Sequence, residues 1–183
     1  MVRLQSGLRS RRRRRISVSL RVLRDFSGRL SHALRLRQRY FDVILVDDAA
    51  ITTLNRDFRA KTAPTDVLSF SWQDGAGLDE ASQDLNGFLG DIIISVDTAQ
   101  RQAAGEKHSL LIEVQQLILH GALHLIGYDH ETDRGQMNAL EFGLRQKLGI
   151  EGRQTADVAQ SFAVNTLRPF RRITKISKSK RQT

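Results

Sequence analysis

The sequence predicts an α+β fold, a single domain with about four strands and five helices. Two short runs rich in β-branched residues predict strands, FDVILVD (41–47) and GDIIIS (90–95). A third strand is predicted for DVLSFSW (66–72), which alternates apolar and polar residues. Residues 106–126 and 132–148 instead carry apolar side chains at helical spacing. At 183 residues the chain is long enough for one domain with a core and short for two.

The remaining elements follow from local patterns. The segment ISVSLRVL (16–23) alternates apolar and polar residues and predicts a first strand, and residues 25–39 favour a helix. Asp48 stands where an N-cap belongs, ahead of a helical stretch containing Ile51, Leu54 and Phe58. A further helix is expected from Val96, with Gly105 breaking it.

Glycine, proline and polar residues mark the connections between these elements. Pro64 disfavours helix at the preceding residue, which predicts a loop over residues 61–64, and residues 73–86 form a polar loop. Gly127 and Gly149 stand where the left-handed C-caps of the last two helices are expected.

Charge divides the chain into three parts. The net charge of +9 combines +12 in residues 1–40, −9 in residues 41–150 and +6 in residues 151–183. We therefore predict a disordered basic N-terminal arm (1–15), a folded domain (16–150) and a basic C-terminal tail (151–183). Basic arms suit a polyanionic partner such as RNA, but passive, solvated ends explain the charge equally well.

The composition excludes several kinds of chemical site and argues against membrane and signal segments. The chain has no cysteine, so disulfides, thiolate nucleophiles and cysteine-ligated zinc are all excluded. No apolar run reaches the roughly 18 residues of a membrane span, and the basic start leads into no apolar signal core. A cytoplasmic protein without membrane contact is expected, although an Arg-rich start also suits an organelle transit peptide.

Three histidines lie within eleven residues, in the segment HGALHLIGYDH. His120 and His124 are four apart on a predicted helix, so their Cβ atoms lie about 5–6 Å apart on one face. Gly127 then turns the chain and can bring His130 over the same point. Three imidazoles with an open position are typical of a catalytic zinc site, here with one ion per chain, which can lower the pKa of bound water to about 7. His32 and His108 lie outside this group and are predicted to be surface residues.

The histidine spacing is also that of the metzincin peptidases. Those enzymes carry a glutamate directly after the first histidine as the general base, and this chain has Gly121 there. A metal-dependent hydrolase is therefore predicted, with a metallopeptidase as the less favoured reading.

Three segments together resemble the YbeY family of endoribonucleases, also called the rRNA maturation factor family. They are HGALHLIGYDH, LNRDFRAKTAPTDVLSF (54–70) and LGDIIIS (89–95), and the resemblance covers about residues 16–150. The family often continues PTDVLSF with proline, where this chain has Ser71 and Trp72.

The resemblance implies a cytoplasmic, zinc-dependent, single-strand-specific endoribonuclease that acts in rRNA processing, notably 16S rRNA 3′-end maturation, and in ribosome quality control. It implies single-stranded RNA and ribosomal particles as partners, and zinc on His120, His124 and His130. It also implies a four-stranded mixed sheet covered by helices, with a metzincin-like histidine helix. Arg59 becomes a candidate catalytic residue near the metal. A non-catalytic, zinc-stabilised ribosome-assembly factor is the main alternative, but structural zinc sites normally close with four protein ligands.

Elementary electrostatics also favours a catalytic role for Arg59. The domain is acidic, and a guanidinium would supply positive charge and bidentate geometry for a phosphodiester and for charge developing in the transition state. The alternative is an exposed ion pair with Asp57. Among the other carboxylates, Asp66 is expected to cap local backbone, and Asp91 to support a histidine or end a strand. None is an obvious general base.

Overall fold

The computed structural model describes residues 2–4, 18–72, 87–130 and 132–152. In chain order the elements are β1 (Val2–Leu4), α1 (Leu20–Ala33), β2 (Tyr40–Val46), α2 (Asp48–Arg59), β3 (Val67–Ser71), β4 (Phe88–Ser95), α3 (Val96–Gly105), α4 (Leu110–Leu125) and α5 (Gln136–Leu148). The described residues thus form one sheet and five helices, which confirms the predicted α+β class.

The sheet is mixed, with strand order β1-β2-β4-β3 over the described residues. Strands β1, β2 and β4 run parallel, and Val43 of β2 is in register with both Val2 and Ile92. Strand β3 runs antiparallel to β4 at the edge, with Leu68 opposite Ile93. The edge strand β3 matters for the site because it also packs against α4.

The two faces of the sheet bury different sets of helices. Alternate residues of a strand point to opposite faces. On one face Ile92 and Ile94 join the main core, to which α1, α4 and α5 contribute. On the other face Ile93 and Leu68 pack with Ile51 of α2 in a smaller cluster. Helix α2 and helix α4 therefore lie on opposite faces of the sheet.

Side-chain caps start three of the helices. The carboxylate of Asp47 accepts a hydrogen bond from the backbone N–H of Ala50 at 2.9 Å, and Ser95 and Ser109 cap α3 and α4 in the same way. Asp47 is therefore the N-cap of α2, and the prediction that placed Asp48 there was wrong by one residue.

The prediction of a strand over residues 16–23 was also wrong, because α1 begins at Leu20. Val18, Leu20 and Val22 alternate by chance. The residues that α1 buries are Leu23, Phe26 and Leu30, which follow the helical period, whereas Val22 is 39% exposed. The predicted helix over 25–39 correspondingly ends earlier, at Ala33.

Three residues of the predicted N-terminal arm belong to the sheet, since Val2–Leu4 form β1 beside β2. The remaining arm residues, the polar loop 73–86 and tail residues 153–183 lie outside the described part of the chain, so the boundaries at 15/16 and 150/151 stay predictions. Among the described residues, no helix has the length and apolar character needed to cross a bilayer.

Candidate metal centre

The last turns of α4 and the turn after it bring the three predicted histidines together. His120 and His124 project from α4, and Gly127, with a φ of 95°, turns the chain so that His130 returns to the same point. One ligand atom from each of His120, His124 and His130 lies within 4.8 Å of the others. The Nε2 atoms of His120 and His124 are 3.1 Å apart.

This donor set fits a zinc ion. Two nitrogens that each bind a tetrahedral zinc at 2.0–2.1 Å are about 3.3–3.4 Å apart, close to the separation of the two Nε2 atoms. His130 is exposed, so its side chain can rotate toward the other two. Three neutral imidazoles leave the fourth tetrahedral position to a ligand from outside the set.

The surroundings of His124 favour its neutral, metal-binding form. Burial lowers the pKa of His124, and the neighbouring His120 and His130 lower it further, because a second positive charge nearby is unfavourable. A hydrogen bond to the backbone of Tyr128 opposes this shift in pKa without reversing it.

A carboxylate that the sequence analysis missed contacts the first histidine. Oε2 of Glu141 lies 3.2 Å from Nδ1 of His120, and Oε1 accepts a hydrogen bond from Arg145. Burial alone would raise the pKa of Glu141, but the hydrogen bond from His120 and the charge of Arg145 outweigh it and lower the pKa. The available signal was its place in the apolar stripe of α5, whose buried residues are Met137, Glu141, Leu144 and Leu148.

A polar cavity of about 230 Å³ lies beside His120. Helix α4 lines it with Glu113, Gln116, Leu117 and His120, α5 with Glu141 and Arg145, and the start of β3 with Asp66 and Val67. The cavity therefore gives space for polar atoms next to His120.

Gly121, the residue after His120, packs against the sheet. A Cβ atom at this position would lie 2.7 Å from Cγ2 of Ile92 and 3.0 Å from Oγ of Ser69. A glutamate there would collide with β4 and β3. The residue that a metzincin peptidase uses as its base is absent from the sequence, and a side chain at this position would force Ile92 to shift.

Arg59 lies on a different helix from His120 and His124. It is the last residue of α2, on the opposite face of the sheet from α4, and it is exposed. Edge strand β3 lies between the end of α2 and helix α4. On one face of β3, Phe70 packs against Phe58 of α2. On the other face, Ser69 lies next to Gly121 of α4. Asp57 pairs with Arg56 at 3.0 Å. The alternative of an ion pair between Asp57 and Arg59 is not found among the ion pairs of the described residues, and the catalytic role of Arg59 stays a prediction.

Two other carboxylates singled out in the sequence are Asp66 and Asp91. Asp66 caps local backbone as predicted, accepting hydrogen bonds from the N–H of Val67 at 2.8 Å and from Thr65, and it also binds Gln102 at 2.9 Å. Asp91 precedes Ile92, which faces α4, so Asp91 points to the opposite face of β4.

The two histidines outside the cluster differ from each other. His32 is exposed, as predicted. The prediction that His108 is a surface residue was wrong, because its side chain is only 5% exposed and its Nε2 lies 3.0 Å from Glu113. A Cβ atom on Gly152 would lie 2.7 Å from the His108 ring, so the chain after α5 covers this imidazole.

Comparison with known proteins shows the family of this chain. Residues 14–149 match the family model described as endoribonuclease YbeY. The curated endoribonuclease YbeY of Desulforamulus reducens is 47% identical over 110 residues, which cover 59% of this chain and 71% of the relative. That of Nautilia profundicola is 44% identical over 115 residues, covering 63% of this chain and 76% of the relative.

A solved structure shows the same fold. The solution structure of a Thermotoga maritima protein, 24% identical, aligns with a TM-score of 0.50 over 81% of this chain and 89% of that one. Fold and site thus define an α+β domain that carries a three-histidine candidate metal centre. The chain belongs to the YbeY endoribonuclease family.

Proposed function

We propose that this protein is a zinc-dependent, single-strand-specific endoribonuclease that acts in rRNA processing, including 16S rRNA 3′-end maturation, and in ribosome quality control. Membership of an endoribonuclease family supports RNA as the substrate. The observation that carries the metal dependence is the convergence of His120, His124 and His130 within 4.8 Å. A cytoplasmic location and binding to ribosomal particles belong to the same proposal.

Cleavage of a phosphodiester needs positive charge beside the phosphate, whereas residues 41–150 carry a net charge of −9. A zinc ion held by the three imidazoles would supply Lewis acidity to a phosphodiester. His120 and His124 lie on a helix that is buried on most sides, so their positions are fixed by the core before any ligand binds.

Arg59 is proposed as the catalytic residue that binds phosphate. Its guanidinium is exposed and takes no part in the ion pairs found among the described residues, so it is available to a substrate. An RNA strand that crosses the edge strand β3 would pass from the histidines toward α2. Bidentate hydrogen bonds to a phosphate would then hold the strand and stabilise developing charge.

The metzincin-like arrangement of the histidine helix is also a proposal. The shared element is two histidines four apart on α4, followed by a glycine turn and a third histidine. The four-stranded sheet is proposed to be complete with β1–β4. The packing of Gly121 on Ile92 supports an enzyme that uses this metal geometry without the peptidase base.

The test is cleavage of single-stranded RNA by the purified full-length protein. Cleavage should be lost in His124→Ala and after treatment with a chelator, and double-stranded RNA of the same sequence should stay intact. His32→Ala is the matched control, because His32 is an exposed histidine outside the site. Equal cleavage by wild type, His124→Ala and the chelated protein would indicate a contaminating nuclease and refute the proposal.

A further inference from the structure

We infer that Glu141 is a positioning residue for the metal: it holds the His120 ring in the tautomer and orientation that present Nε2 to the ion. This inference rests on the zinc centre of the proposed function. It adds Glu141 to that centre as a residue that does not itself bind the metal. It starts from one contact, the 3.2 Å separation of Glu141 Oε2 and His120 Nδ1.

The chemistry of this contact determines where the proton lies. A carboxylate only accepts hydrogen bonds, so Nδ1 of His120 must be the donor. In a neutral imidazole the other nitrogen then carries a free lone pair. That nitrogen is Nε2, which lies 3.1 Å from Nε2 of His124, on the side where the ion would bind. The hydrogen bond thus selects the tautomer that can coordinate.

Glu141 is itself held in place. Its side chain is 8% exposed, and its second oxygen accepts a hydrogen bond from Arg145 one turn further along α5. Helix α5 packs against α4, so the carboxylate is fixed to the helix that carries two of the ligands. A carboxylate on the far nitrogen of a metal-binding histidine also makes that histidine a more basic ligand.

The contacts of Glu141 with His120 and Arg145 indicate that Glu141 does not act directly on the substrate. Both of its oxygens are engaged, one with His120 and one with Arg145, and the side chain is buried. A general base must lie within hydrogen-bonding reach of the proton that it removes, whereas these contacts direct the carboxylate of Glu141 to His120 and Arg145. Glu141 therefore acts through His120.

A matched control lies in the same cavity. Glu113 is also buried, with a side chain 9% exposed, and it also pairs with a histidine, but its partner is His108, which is not one of the three ligands. Glu113→Gln and Glu141→Gln thus remove the same charge from the same cavity. Only the second variant replaces the carboxylate that contacts His120, one of the three proposed ligands, with a neutral amide.

The experiment measures zinc affinity of the full-length variants by competition with a chromophoric chelator at neutral pH. Loss of such a supporting carboxylate typically lowers metal affinity 10–100-fold, so Glu141→Gln should bind zinc about 10–100-fold more weakly than wild type. Glu113→Gln should match wild type within about twofold. Equal affinity in wild type and Glu141→Gln would overturn this inference and leave the zinc enzyme intact, whereas a wild type without zinc binding would overturn the proposed centre as a whole.

A second measurement needs no variant and no metal. The ¹⁵N chemical shifts of the His120 ring in metal-free wild type should show the proton on Nδ1 and a bare Nε2. A proton found on Nε2 would overturn the inference, even if Glu141→Gln failed to fold.

Discussion

Gly121 lies so close to Ile92 that a Cβ atom on the glycine would be 2.7 Å from Cγ2 of the isoleucine. Real Cβ atoms essentially never approach a neighbour this closely, and Ile92 is fully buried. His120, the first of the three clustered histidines, directly precedes Gly121 in the chain. Close packing of α4 on the sheet therefore fixes the height of the histidines above β4.

Gly121→Ala should destabilise the protein by about 1–3 kcal/mol, because an added methyl group overpacks a filled core. The measurement is urea unfolding of wild type and variant. Gly143 is the matched control, since it lies exposed on α5 with no atom near its Cβ position. Gly143→Ala should stabilise by about 0.5–1 kcal/mol, as expected for glycine replaced within a helix. A Gly121→Ala protein as stable as wild type would contradict the packing described here.

Arg59→Ala should reduce the rate of RNA cleavage about 10²–10³-fold, the usual cost of removing one donor that stabilises a charged transition state. Stability should change by less than about 0.5 kcal/mol because Arg59 is exposed. Arg56→Ala provides the comparison, as an exposed arginine of the same helix that is paired with Asp57. If both variants cleave RNA at the wild-type rate, Arg59 has no catalytic role.

Asp48 should make stability depend on pH in the acidic range. Burial alone would raise the pKa of Asp48, but hydrogen bonds from Ser95 and Thr98 and the ion pair with Arg101 lower it below the ordinary 3.8. A lowered pKa in the folded state means that Asp48 contributes stability above pH 3.8, and that this contribution is lost as pH falls through its folded pKa.

Asp48→Asn should therefore be less stable than wild type at pH 7, and the difference in free energy of unfolding should shrink below pH 3.8. Urea unfolding at pH 7 and at pH 3 measures both values. A difference that is the same at the two pH values would show that the charge of Asp48 contributes nothing.

The basic arm offers a test of phosphate contacts. Replacing Arg11–Arg15 with glutamine should weaken RNA binding and flatten its dependence on salt. With fewer phosphates neutralised, RNA binding releases fewer counterions, and the salt dependence comes from that release. Substitution is preferable to deletion of residues 1–15, since Val2–Leu4 form β1 of the sheet. An unchanged salt slope would identify the arm as a passive tail.

Local patterns predicted the elements nearest the site. Strands β2 and β4 follow from β-branched runs, and β3 follows from the alternation of apolar and polar residues. Helix α4 and its end follow from apolar spacing and Gly127. The convergence of the three histidines followed from the same spacing. These features are local, so the sequence carries them without knowledge of the tertiary fold.

The features that sequence reasoning missed depend on distant partners. The burial of His108 comes from Gly152, 44 residues later, and from Glu113. The role of Glu141 depends on how α5 packs on α4, and a glutamate in a helix ordinarily reads as a surface residue. The start of α1 was missed because Val18, Leu20 and Val22 alternate like a strand.

The central claim is that one zinc ion on His120, His124 and His130 is required for RNA cleavage. The most direct measurement adds zinc stepwise to metal-free protein and follows both bound metal and the rate of single-stranded RNA cleavage. The cleavage rate should rise in proportion to bound zinc, reach a plateau at one ion per chain, and stay at background in His124→Ala. Full cleavage by the metal-free protein, or a rate that does not follow bound zinc, would contradict the claim.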